Sequence, residues 1–241
     1  MQNIHAVMAS MVSRMRQLEI TANNLSNVNT PGFKRNLYFS NILEDLLSRA
    51  PNQRYFDSQL RLEEREKMDF SQGALQETEN PLDVGFNGPG FFVIRDGDGV
   101  AYTRNGNFNR DADGYLVTNT GQYVMGESGP IWLDEEGQVQ VSKAGYIMLD
   151  GEFIDRLRIV RITDQDQVDR LGDSRFMFPA VEAEEDHGDI LQGYLEKSNA
   201  DPISSITEMI SLQRDFESNQ RMLRTIDGID RLASNEIGRL Q

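Results

Sequence analysis

The sequence predicts an α+β protein in which two terminal α-helices pair as an antiparallel coiled coil, with an inserted all-β domain of short antiparallel strands. Three observations lead there. Apolar residues recur at helical spacing at both ends of the 241-residue chain. Thirteen of its 20 glycines fall between positions 85 and 151. The runs between those glycines are short and rich in β-branched and aromatic residues, as hairpin strands are.

The first helix is read from Ile4, Met8, Met11, Met15, Leu18, Ala22 and Leu25, whose spacings of 4, 3, 4, 3, 4 and 3 draw one apolar seam. Ser10, Arg14, Gln17 and Glu19 lie off it. Asn23, Asn24, Asn27 and Asn29 then crowd the helix end, where an Asn amide competes with backbone hydrogen bonds. Pro31-Gly32 supplies the fixed φ and the positive φ of a type II turn. Residues 1–35 are thus a terminal helix with its Asn-rich turn. Residues 36–80 read as a linker segment, with an apolar run at Ile42, Leu43, Leu46 and Leu47 and a charged stretch from Arg61 to Lys67.

A β-rich domain is expected over residues 81–181. Its candidate strands are Phe91 to Ile94, Val100 to Arg104, Tyr115 to Thr118, Gln122 to Met125, Ile131 to Leu133, Gln138 to Val141, Tyr146 to Leu149 and Leu157 to Ile162. Gly-containing turns at Asp96 to Gly99, Asp113-Gly114, Asn119 to Gly121, Glu136-Gly137 and Asp150-Gly151 separate them. Packing is expected around Phe91, Tyr102, Phe108, Tyr115 and Trp132, and a fragment of roughly residues 75–190 is expected to fold by itself. Glu182, Glu184, Glu185, Asp186 and Asp189 make residues 182–200 an acidic, solvated loop and connection.

Residues 201–241 are the second helix. Asp201 suits its N-cap, and Pro202 fits the first turn, where a missing N–H costs nothing. Ile206, Met209, Leu212, Phe216, Leu223, Ile226, Ile229, Ala233, Ile237 and Leu240 follow at three- and four-residue spacing, interrupted by Asn219. So long a stripe outruns a small β domain, and its natural complement is the N-terminal seam.

Composition excludes several function classes. A formal charge of −15, from 39 acidic and 24 basic residues with no basic cluster, repels a polyanion and argues against nucleic acid. No stretch reaches the ~18–20 apolar residues of a membrane helix, and no basic n-region with an apolar core marks a cleaved secretory signal. With no Cys and two His, disulfides, thiolate metal sites and a Ser-His-Asp base are poorly supplied. Asn109, Asp111, Asp113 and Gly114 fit the start of a calcium loop, but Thr120 stands where its bidentate Glu is required. Gly126-Glu127-Ser128-Gly129-Pro130 lacks the last Gly of a nucleophile elbow. Gly85, Gly88 and Gly90 do not have dinucleotide-fingerprint spacing. No cofactor is expected.

Asn23-Asn24-Leu25-Ser26-Asn27 followed by Thr30-Pro31-Gly32-Phe33-Lys34 resembles the N-terminal signature of the axial proteins of the bacterial flagellum, with Ser26 in place of an Ala. Asn80-Pro81-Leu82-Asp83-Val84, Gly88 to Val93, Tyr102-Thr103-Arg104-Asn105-Gly106-Asn107-Phe108 and Gly114 to Thr118 look like successive segments of flagellar basal-body rod proteins. Gly193-Tyr194-Leu195-Glu196-Lys197-Ser198-Asn199 and the helix after it are similar to that family's C-terminal signature. Gly126 to Ile131 and the compact stretch from Gly137 to Phe178 look closer to the proximal-rod (FlgF) type than to the distal-rod (FlgG) type.

The resemblance implies a structural subunit of the rod within the periplasm, with no catalytic residues. Its implied partners are the proximal and distal rod subunits, further copies of itself, and the flagellar type III export apparatus, which it would cross unfolded with an uncleaved N-terminus. The expected assembly interface comprises Ile4, Met8, Met11, Met15, Leu18 and Leu25, the turn residues Asn23, Asn24 and Asn27, and Ile206, Met209, Phe216, Leu223 and Ile226. Unbranched Met suits a seam that meets slightly different neighbours. Two other readings fit parts of the sequence: a coiled-coil adaptor or binding module with a β insertion, and a β-rich hydrolase using paired carboxylates.

Overall fold

The computed structural model describes residues 2–40, 64–97, 99–133, 137–163, 167–178, 183–185 and 188–237. The run at Ile42, Leu43, Leu46 and Leu47, the acidic residues Glu182 and Asp186, and Leu240 lie outside them. The chain divides into two compact units. One comprises Met1–Ser26, Asn36–Lys67 and Pro202–Gln241; the other comprises Asn27–Arg35 and Met68–Asp201.

The first unit is built on α1 (Gln2–Ser26) and α2 (Pro202–Ile237), with β1 (Asn36–Ser40) and β2 (Glu64–Met68) paired as a two-stranded ribbon. Pro202 is the first residue of α2, where its fixed φ is already helical. Gln17 donates to Glu208 Oε1 at 2.9 Å, and Arg14 lies 3.8 Å from Asp215. Contacts that step backward along α1 as they step forward along α2 make the two helices antiparallel. Their buried positions are Ser13, Ile20, Thr21 and Asn24 on one, and Ser205 and Leu212 on the other. The ribbon is held to α1 by polar contacts: Ser13 Oγ lies 3.0 Å from Tyr38 Oη, and Arg16 lies 2.6 Å from Glu66.

The second unit is a β fold. Among the described residues, its largest sheet has nine strands. Seven follow the path β14 (Asp169–Gly172), β15 (Arg175–Met177), β6 (Gly99–Thr103), β5 (Gly90–Asp96), β9 (Tyr123–Val124), β8 (Leu116–Thr118) and β7 (Phe108–Arg110). β13 (Ile159–Ile162) joins β5 to β16 (Ala183–Glu185). A three-stranded meander, β10 (Val139–Val141), β11 (Tyr146–Leu149) and β12 (Glu152–Arg156), and the pairs β17 (Asp189–Gln192) with β4 (Val84–Asn87) and β18 (Tyr194–Glu196) with β3 (Leu75–Glu77) complete it.

β5 organises this unit because successive strand residues face opposite ways. Phe92 packs with Phe86, Phe108 and Val124 in one core, while Phe91 and Val93 pack with Tyr102 and Phe176 in another. A strand buried on both faces reads as a continuous apolar run, as Gly90-Phe91-Phe92-Val93-Ile94 does.

Several expectations are corrected. Residues 36–80, read as a linker, contain β1, β2 and β3, and the acidic stretch read as a loop contains β16 and part of β17. Ile131 to Leu133 is no regular strand; it is tied in by single bonds, from Leu116 N to Ile131 O and from Leu133 N to Gly114 O. Trp132, expected in the core, is 45% exposed and donates its indole N–H to Asp113 O at 2.9 Å. The β unit also reaches beyond residues 75–190, taking in Asn27–Arg35 at one end and the segment around Glu196 at the other.

Candidate functional site

The Thr30-Pro31-Gly32-Phe33 turn forms as its residues dictate: Gly32 has φ +67°, and Phe33 N donates to Thr30 O at 3.3 Å. Asn27 begins it, accepting from Thr30 N through its carbonyl and from Thr30 Oγ1 through its side chain. The turn lies against the backbone of Arg104, since a Cβ on Gly32 would stand 2.4 Å from Arg104 C and Asn105 N. Phe33 is buried with the Arg170 guanidinium over its ring, and Arg170 also donates to Lys34 O.

Lys34 then points inward. Lys34, Glu196 and Arg104 are 0%, 1% and 2% exposed, and they touch. Lys34 Nζ lies 2.6 Å from Glu196 Oε1 and donates to Ser71 O at 2.8 Å, while Gly73 N donates to the same carboxylate oxygen at 2.8 Å. Arg104 Nη1 meets Glu196 Oε2 at 3.2 Å, its Nη2 donates to Gly88 O at 2.6 Å, and its guanidinium sits 4.9 Å from the Phe91 ring centre. Burial pushes the Lys34 ammonium below its ordinary value, Arg104 pushes the same way, and Glu196 pulls it back. Such a network is not a large net source of stability, but removing one partner leaves buried charge uncompensated.

Asn199 seals the edge. It accepts from Arg35 N at 2.8 Å and donates to Asp69 O at 2.7 Å. Asp69 pairs with Arg35 at 2.9 Å; burial would raise its carboxyl, but hydrogen bonds from Ser71 and Arg35 outweigh burial and hold it below the ordinary value. The arrangement is a clasp that fastens residues 32–35 to residues 69–73, 104 and 196–199.

The expected interface residues lie in the helical unit, apart from Asn27. Ile4 is in α1. Met11, Leu18 and Leu25, with Met209, Phe216, Leu223 and Ile226, are half-buried; Met8, Met15 and Ile206 are exposed. The seam read from spacing is therefore divided: buried Ile20, Thr21 and Asn24 show that the packed face of α1 is rotated from it. Asn23 is exposed, whereas Asn24 is buried and pairs at two points with one residue, donating to Asn36 O at 2.8 Å and accepting from Asn36 N at 2.9 Å. That amide imitates a strand neighbour at the start of β1.

Lys34, Arg104 and Glu196 escaped notice as a set because charged side chains are almost never fully buried. The available signal was that each sits inside one of three motif-like segments. Elsewhere, Asp111 accepts from Asp113 N and Tyr115 N in the turn between β7 and β8, and Ser128 donates to Asp155, as turn residues do. Among the described residues no three His, Cys, Asp or Glu side chains are placed to hold a metal ion, and no helix is long and apolar enough to cross a membrane.

A long helix pair carrying exposed apolar rows and a β unit clasped by its own buried charges suit a structural subunit. Three family descriptions match: "Flagella basal body rod protein" over residues 11–34, "Flagellar hook protein FlgE/F/G D1 domain" over 86–149, and "Flagellar basal body rod FlgEFG protein C-terminal" over 191–236. Lys34, Arg104 and Glu196 fall one in each. The flagellar basal-body rod protein FlgF of Caulobacter vibrioides is 32% identical over 236 residues, covering 93% of both chains, and that of Salmonella typhimurium is 31% identical over 243 residues, again covering 93% of both. The FlgG protein of Caulobacter vibrioides is 28% identical over 260 residues, covering 94% of this chain and 96% of its own. The chain belongs to the flagellar basal-body rod protein family. It is a structural subunit of the flagellar basal body, not an enzyme.

Proposed function

We propose that this subunit joins the rod through its terminal helices, which pair as an antiparallel coiled coil and present their remaining apolar rows to neighbouring subunits. The observation that carries this is the exposure of Met8, Val12 and Met15 on α1 and of Ile203, Ile206 and Ile210 on α2, each 46–75% exposed at three- or four-residue spacing. Rows of this kind are unburied in the single chain, and burying them on assembly contributes about 25 cal/mol per Å² of apolar surface. Met8 and Met15 adapt to more than one neighbour. The neighbours are other rod subunits, proximal or distal, and copies of the chain itself. The FlgF type is supported by the Caulobacter vibrioides match, and its place is then the proximal rod. Delivery through the flagellar type III apparatus, unfolded, fits a chain without Cys.

Met15→Asp and Ile206→Asp test the reading. Each puts a charge on an exposed row, tolerated in water and costly where the row is desolvated. Both variants are expected to melt like the unaltered chain and to be missing from purified basal bodies. Normal incorporation of both would overturn the helix-face assignment.

A further inference from the structure

The β unit is not one stretch of chain, and its earliest and latest pieces meet. Residues 189–199 hold the early segments in place: β17 pairs with β4 and β18 with β3. Glu196 O accepts from Gly32 N at 2.8 Å, Gly193 O accepts from Thr78 N at 2.7 Å, and Lys197 N donates to Ala74 O at 2.9 Å. The approach is close, because a Cβ on Gly73 would fall 1.9 Å from Lys197 O. At the centre, the Glu196 carboxylate takes Lys34, 162 residues earlier, together with Gly73 N and Arg104. Two cations are thus buried beside each other against a carboxylate that belongs to the last strand of the unit.

We propose that Glu196 is the latch of the β unit: residues 32–35 and 69–78 cannot stay docked until the 189–199 segment arrives and its carboxylate neutralises the Lys34–Arg104 pocket. Before then, docking Lys34 buries an ammonium beside the Arg104 guanidinium without the carboxylate both touch, and the desolvation of both cations goes uncompensated. A chain released N-terminus first keeps its signature turn free until residue 196 has emerged. The hairpin of β5 and β6, whose contacts are local, can form earlier. The latch belongs to this chain's fold and does not depend on which axial neighbours it meets.

Hydrogen exchange on the full-length chain tests it. In Glu196→Gln, protection of the Gly32, Gly73 and Thr78 amides is expected to fall by about 10²-fold or more, while the β5–β6 amides fall by less than about tenfold. Unchanged protection at Gly32 and Gly73, or an equal fall at every amide, would overturn the proposal. Adding Lys34→Met to Glu196→Gln removes a buried cation and should restore protection at Gly73 at least in part; a further loss counts against the latch. Pulse labelling of the unaltered chain during refolding needs no substitution. Gly32 and Gly73 should become protected in the same phase as Lys197, and earlier protection at either sinks the idea.

Discussion

Replacing Gly32 by Ala probes the clasp at its tightest backbone approach, and Gly121→Ala supplies the matched control. Both glycines lie in turns with positive φ, +67° and +87°, so an Ala at either is forced into the left-handed region, at a cost of roughly 1–2 kcal/mol. They differ in surroundings. Nothing lies within 4 Å of a Cβ at Gly121, whereas at Gly32 the new methyl meets Arg104 C and Asn105 N at 2.4 Å and Arg104 O at 2.8 Å. Backbone atoms cannot swing aside as a side-chain end can, so the turn must lift from Arg104. Overpacking of this kind adds about 1–3 kcal/mol. Urea unfolding followed through the β unit should therefore place Gly121→Ala about 1–2 kcal/mol below the unaltered chain and Gly32→Ala about 2–5 kcal/mol below it. Unfolding slopes should be unchanged, as expected when only stability shifts. Equal losses in the two variants would show that the turn does not bear on Arg104, and the geometry of the clasp would fall with that result.

Other outcomes follow from the same contacts. Met11→Asp and Phe216→Asp, at half-buried positions of the helix pair, should lower helicity and helix-unit stability in the single chain as well as incorporation, unlike Met15→Asp and Ile206→Asp; indistinguishable circular dichroism melts for all four would contradict the division of faces. Asp69 has a folded-state carboxyl held below the ordinary 3.8, so its contribution is complete above that value and is lost as pH falls through the lower folded value. Asp69→Asn should accordingly be less stable at neutral pH and show a shallower acid limb in thermal melts from pH 6 to pH 2, whereas a parallel acid limb would remove Asp69 from the account. A fragment of residues 75–190 lacks Lys34, Glu196 and the β18–β3 pairing and should melt well below one of residues 27–201 while keeping the core around Phe92; equal melting temperatures for the two fragments would remove the clasp from the account.

The strands that could be read in advance are those whose side chains state their surroundings. Phe91 to Ile94 is apolar throughout because both faces of β5 are covered, and Gly97 permits the tight turn into β6, so composition and punctuation agree there. β2 is different. Its residues Glu64-Arg65-Glu66-Lys67-Met68 carry no apolar alternation, because its role is to lie on α1 through Arg16 and Glu66, and that partner is some fifty residues away in sequence. β16, Ala183-Glu184-Glu185, is likewise a strand only by virtue of pairing with β13. Pairing of this kind is tertiary information, and strand preference is mostly packing against neighbours. The helix seam is incomplete for a related reason: spacing shows that a stripe exists, but Ser13 and Asn24, bonded to β1, and Thr21, bonded back to Gln17 O, are buried small and polar side chains that spacing of apolar residues does not reveal.

The clasp of Lys34, Arg104 and Glu196 is built from charge. A hydrophobic trio of similar volume would close the β unit at least as well, since replacing a buried ion network by apolar residues is often neutral or stabilising. What the ions add is a requirement for particular partners. An apolar residue in place of Lys34 could settle against any exposed apolar row, whereas a lysine without a carboxylate must give up its proton on burial or stay in water. Lys34 is thereby directed to Glu196 of the β unit, and the turn at Pro31-Gly32 is carried with it. If the exposed helix rows serve neighbours as proposed, charge fastens the β unit's own segments while apolar surface is left for assembly, and the two sets of contacts do not compete.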